Sequence, residues 1–109
     1  INLVSVTNIG SGAFHGCTKL TSVTMSDSVT SIGNNAFYEC TGLSNFTIYA
    51  TEPPTIGEQV FYCYKEINNY PTWCSLPNLK IYVPATSVDI YKVVNGWRSY
   101  ASIIYAIEE

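Results

Sequence analysis

The sequence predicts a solenoid of short parallel strands and turn-rich coils, closed at its C-terminal end by a small helical cap. Three observations predict it. First, "NIGSGAFHGCTKLTSV" from Asn8 returns as "SIGNNAFYECTGLSNF" from Ser31, 23 residues later. Second, apolar residues alternate at the end of each copy, as they do on one face of a strand. Third, the pattern stops after Val83-Pro84, where helix signals begin. The chain has 109 residues, 47% of them apolar and only 12% charged, which suits one globular domain with a sizeable core.

Ile9 and Ile32 share the 23-residue offset, as do Phe14 and Phe37, Cys17 and Cys40, Leu20 and Leu43, Val23 and Phe46, and Met25 and Ile48. A fixed period of this length marks a stacked-repeat architecture. Leu20-x-x-Val23-x-Met25 and Leu43-x-x-Phe46-x-Ile48 place the strands. Ala13-Phe14 and Ala36-Phe37 fill the opposite wall of each coil. One coil cannot cover its own apolar face, so coils stack and equivalent side chains form ladders.

A third coil is predicted from Ile56-Gly57 and Val60-Phe61, with its strand at Leu76-x-x-Leu79-x-Ile81. Aligning Leu76 with Leu43 leaves an insert at residues 62–75, and Pro53-Pro54 makes a rigid extended connection. The solenoid is therefore expected over 1–83 and the cap over 84–109. In the cap, Thr86-x-x-Asp89 reads as a capping box for one short helix. Val88, Tyr91 and Val94 share its inner face, and Asn95-Gly96 stops it. Trp97 and Tyr100 are expected to pack on the open end of the stack. Residues 103–107 are expected as a last strand or a short helix.

The repeat "I-G-x-x-A-F-x-x-C-x-x-L-x-x-V-x-M/I" and the ending "PPTIG", "VF", "LKIYVP" and "SVDIYKVVNGW" resemble the BspA-like leucine-rich repeats of bacterial surface proteins. The resemblance covers nearly the whole chain. It implies a right-handed leucine-rich-repeat solenoid, export to the cell surface or secretion, binding or adhesion roles for some members, and no catalytic residues. Ile1 falls inside a repeat, so the sequence reads as part of a longer protein. The stretch "YCYKEINNYPTWCS", Tyr62 to Ser75, has no counterpart in the usual repeat.

Charge and motifs exclude several functions. The net charge is -3 and no basic stripe exists, which argues against nucleic-acid binding. No apolar run is long enough to span a membrane. One His and no CxxC pair argue against zinc, and no cofactor motif is present. His15 sits in a turn where Tyr38 is its equivalent, which reads as a variable surface position. No nucleophile, base and orienting group come together, so an enzyme is not expected. Cys17 and Cys40 read as inward-facing apolar side chains. For Cys63 and Cys74, a disulfide closing the insert is one reading. The other makes Cys74 the repeat cysteine of the third coil.

The insert carries the clearest candidate binding residues: Tyr62, Tyr64, Tyr70 and Trp73, with Asn68 and Asn69 beside them. Aromatic rings anchor interfaces or stack on sugars, and amides supply adaptable hydrogen bonds. A second candidate is the outer sheet face, where Tyr49 and Tyr82 are expected to stack. These features imply a binding or adhesion module whose partner is a host or matrix protein or a glycan. The alternative is a structural cap or spacer of a longer solenoid.

Overall fold

The computed structural model describes residues 1–108. Its strands, in chain order, are β1 (Asn2–Leu3), β2 (Asn8–Ile9), β3 (Ser22–Met25), β4 (Ser31–Ile32), β5 (Asn45–Ile48), β6 (Thr55–Ile56), β7 (Tyr62–Ile67), β8 (Tyr70–Ser75), β9 (Lys80–Val83) and β10 (Ile104–Ala106). One α-helix, α1, spans Val88–Val93. The chain is a repeat fold built on two parallel sheets. One runs β1-β3-β5-β9-β10 and the other β2-β4-β6, while β7 and β8 form a separate antiparallel pair.

The 23-residue period becomes strand register. Val23 lies beside Phe46 and Met25 beside Ile48, and Ile9 beside Ile32. Each repeat thus crosses the core once on each sheet. Between the sheets, Phe14, Phe37 and Phe61 stack in a column, with ring centroids 5.1 and 5.8 Å apart. Phe46 meets Phe37 and Phe61 edge-on at 5.0 and 4.8 Å. Offset-stacked and edge-on contacts of this kind suit the ring quadrupole. Phe37, Phe46 and Phe61 are fully buried.

The repeated Ile-Gly pair has a steric cause. A Cβ on Gly33 would come within 2.5 Å of the Ser11 amide nitrogen, and one on Gly57 within 2.5 Å of the Asn34 amide nitrogen. Glycine lets each turn lie directly against the backbone of the one before it.

The third repeat differs from the expected alignment. The Leu76 amide donates to the Phe61 carbonyl at 3.2 Å, as the Cys40 amide does to Phe37. Leu79 then bonds Leu76 as Leu43 bonds Cys40. Leu76, not Cys74, therefore holds the repeat-cysteine position, and Leu79 stands where Leu43 does. Phe46 pairs with Ile81 rather than Leu79. The cause is that β7 and β8 pair with each other and leave the repeat's path at its Phe61–Leu76 junction.

From Pro84 onward the chain packs over the end of the stack. It contributes a short 3-10 turn at Ala85–Ser87, α1, a 3-10 helix at Trp97–Ile103, and β10, which extends the larger sheet in parallel beside β9. Three of its side chains bond the segment before β6. Ser87 Oγ donates to Thr51 O at 2.8 Å, the Tyr91 hydroxyl to Ala50 O at 2.7 Å, and Trp97 Nε1 to Pro54 O at 2.7 Å. The expected capping box does not form. Ser87 is the N-cap residue, and no side chain caps the helix. Its hydroxyl is buried and committed to Thr51 instead. Tyr91 and Trp97 are fully buried, and Tyr100 meets Phe61 edge-on at 5.2 Å.

Candidate binding surface on the hairpin

Residues 62–75 are a β-hairpin rather than a loop. Asn68 and Asn69 form its two-residue turn with φ of 54° and 66°. Two positive φ values give the turn twist that matches paired strands, and Asn tolerates that conformation better than most residues. Cys63 faces Cys74 across the strands, and a disulfide joins them with Cα atoms 5.2 Å apart. Cys63 is buried, so the disulfide lies on the face that meets the core. Pro71 removes an N–H from β8, which blunts the exposed strand as a template for pairing.

Alternation divides the insert's rings between two faces. Tyr64 lies across from Trp73, with centroids 5.5 Å apart. Trp73 reaches Tyr38 at 5.9 Å, and Tyr38 reaches His15 at 5.1 Å. Four rings from repeat one, repeat two and the hairpin thus form one chain across the surface. Tyr64 is 38% and Trp73 53% exposed, so both keep accessible ring surface.

Two carboxylates border these rings. The Tyr64 amide donates to Glu39 Oε1 at 2.7 Å, and its hydroxyl donates to Glu66 Oε1 at 3.2 Å. Glu39 has a φ of 64°, and its own amide donates to Tyr62 O at 2.9 Å. The turn of repeat two therefore grips the base of the hairpin through both backbone and side chain. Lost hydration, followed by the Glu39 charge and Tyr64, raises the Tyr38 phenol above its ordinary value.

The remaining candidates lie elsewhere. Tyr62 is half-buried and packs near Tyr100 at 6.0 Å. Tyr70, 73% exposed, faces away from Trp73 and pairs with Ile67 at the hairpin tip, beside Asn68 and Asn69. Tyr49 does not stack on Tyr82. Thr47 is the residue beside Tyr82, because β9 joins two residues out of the expected register. Tyr82 instead meets Tyr105 of β10 at 6.0 Å, with Lys80 Nζ 5.9 Å from the Tyr105 ring centre. Tyr49 borders a groove of about 400 Å³ with Pro84, Ala85, Thr86 and Ile107.

Cys40 is buried, and its thiol donates to Phe14 O at 3.0 Å. Burial pushes that thiol up to about 11. Cys17, expected to be buried like Cys40, is exposed. No group of three or more His, Cys, Asp or Glu side chains could hold a metal ion among the described residues. No helix there is long and apolar enough to cross a membrane.

Parallel strands in register, a glycine at each close approach and a phenylalanine column are what the repeat motif requires. The family model described as the BspA type leucine-rich repeat region, of six copies, matches residues 1–96. The chain belongs to the BspA-type leucine-rich repeat family. No curated protein matches it. The leucine-rich repeat is generally a non-catalytic protein-interaction fold, and BspA-type members are typically surface-associated. The hairpin interrupts the repeat's path between Phe61 and Leu76.

Sequence reasoning missed the hairpin, the ring chain through His15 and Tyr38, the part played by Glu39, and Tyr105. The hairpin had a readable signal: two six-residue runs, Tyr62–Ile67 and Tyr70–Ser75, each carrying two aromatic residues, separated by Asn68-Asn69. Nothing local marks Glu39. Its contact depends on which turn the hairpin folds against.

Proposed function

We propose that the chain is a non-catalytic binding or adhesion module of an exported surface protein. Residues 1–83 act as part of a leucine-rich-repeat solenoid and residues 84–109 as its cap. The hairpin makes the contact, through Tyr64, Tyr70 and Trp73 with Asn68 and Asn69 at its tip. One observation carries the reading: three large rings stay solvent-exposed on a hairpin held by a disulfide and by Glu39. A hairpin serving only to close the repeat would bury such rings. Rings held in place in this way lose little conformational freedom when they bind.

The test is a binding screen of the chain against host matrix proteins and arrayed glycans. The Tyr64→Ala, Tyr70→Ala, Trp73→Ala triple variant is run beside it, with circular dichroism to establish folding. A hit abolished in the folded variant supports the reading. A hit that the variant keeps moves the site to the outer sheet face, around Tyr49 and Tyr82. The absence of any hit makes the chain a structural cap or spacer.

A further inference from the structure

The hairpin's two faces differ in charge. The face carrying Tyr62, Tyr64 and Glu66 opposite Ser75, Trp73 and Pro71 holds no basic residue. Lys65 belongs to the other face, with Thr72, Ile67 and Tyr70. The ring face adjoins Glu39 at its base and Glu66 toward its tip. The whole chain is net negative. The rings Tyr38, Trp73 and Tyr64 follow one another at 5.9 and 5.5 Å.

Ring faces carry negative quadrupole density, and a cation within about 6 Å of a ring centre is attracted to it. Carboxylates beside the rings reinforce that attraction, and a planar guanidinium can stack on a ring while bonding a carboxylate. Trp73 is 53% and Tyr64 38% exposed, so the rings lie side by side as an open strip. An open strip accepts an extended chain.

We infer that the strip His15–Tyr38–Trp73–Tyr64, with Glu39 and Glu66, docks an extended protein segment carrying arginine or lysine side chains. This rests on the binding-module reading and names the partner's chemistry. The cationic side chain lies over Trp73, Tyr38 or Tyr64 and bonds the Glu66 carboxylate.

The experiment uses the 109-residue chain and three probes. One is an unstructured Gly/Ser peptide with spaced arginines, one is the same peptide with citrulline replacing arginine, and one is a neutral glucan oligosaccharide. Binding is followed by amide and indole NMR shifts. The expected result is that the arginine peptide shifts Trp73, Tyr38 and Tyr64, and that citrulline weakens binding about tenfold. Glu66→Gln weakens the arginine peptide several-fold and leaves the citrulline peptide unchanged, whereas Ile67→Ala, on the opposite face, changes neither. Added salt weakens binding of the arginine peptide only.

Equal affinity for the two peptides, or shifts confined to the Tyr70 face, overturns the inference. So does a glucan that moves the Trp73 indole when the arginine peptide does not. In that case the binding-module reading survives and its partner is a sugar. If no probe here and no partner in the wider screen binds, both readings fall together.

Discussion

The stacked repeats and the hairpin are held by different physics. In the stack, every repeat adds equivalent apolar side chains to one shared core, and Phe37 touches the rings of Phe14, Phe46 and Phe61. In the hairpin, residues 64–71 contribute no buried side chain. It relies on one disulfide, the bonds to Glu39 and the Trp73–Tyr38 contact. The stack therefore behaves as a cooperative unit, while the hairpin is a stapled appendage that can present rings to solvent. On the proposed reading, binding residues placed on the hairpin do not weaken the core.

The sharpest way to break the contrast is to remove a ring from the shared column. Phe37→Ala is expected to cost about 3–5 kcal/mol, unfolding the repeats as a unit in a denaturant titration. A change confined to one repeat would contradict the cooperative stack. Next in size is the staple. Cys63→Ala with Cys74→Ala is expected to cost about 2–3 kcal/mol through the freed loop. Proteolysis should then cut within residues 62–75 while the stack stays intact.

Smaller effects probe the two attachments. Tyr91→Phe leaves the buried Ala50 carbonyl without its 2.7 Å donor and should lower stability by about 1–3 kcal/mol. Glu39→Gln keeps an acceptor for the Tyr64 amide but removes the charge. It should cost about 1 kcal/mol or less, read as faster exchange at the base of the hairpin.

Alkali tests the buried side of the comparison. Burial raises the Tyr91 and Tyr100 phenols above 10.0 and pushes the Cys40 thiol from 9.0 to about 11. The folded state thus holds protons that the unfolded chain releases. Their contribution is full below the unfolded values and is lost as pH rises from about 9 upward. Denaturant midpoints should be level near neutrality and fall toward about pH 11. A level midpoint throughout would contradict the burial of these groups.

How much of this the sequence carried follows the same division. The stack was legible because a fixed period forces the same side chain into the same place, so Val23 and Phe46 pair as their spacing says. The third repeat was misaligned because a linear alignment matched Leu76 to Leu43 when hydrogen bonding matches it to Cys40. Of the candidate rings, Tyr64 and Trp73 come together with His15 and Tyr38, and Tyr70 does not. Which face each ring takes depends on the hairpin register, and that is set by the Asn68-Asn69 turn.

Native-state hydrogen exchange with and without a reductant tests the separation of stack and hairpin most directly. Reduction of the Cys63–Cys74 disulfide should speed exchange across residues 62–75 while amides of β3, β5 and β9 keep their protection. Loss of protection in those three strands to the same degree as in the hairpin would mean that the two regions are a single unit.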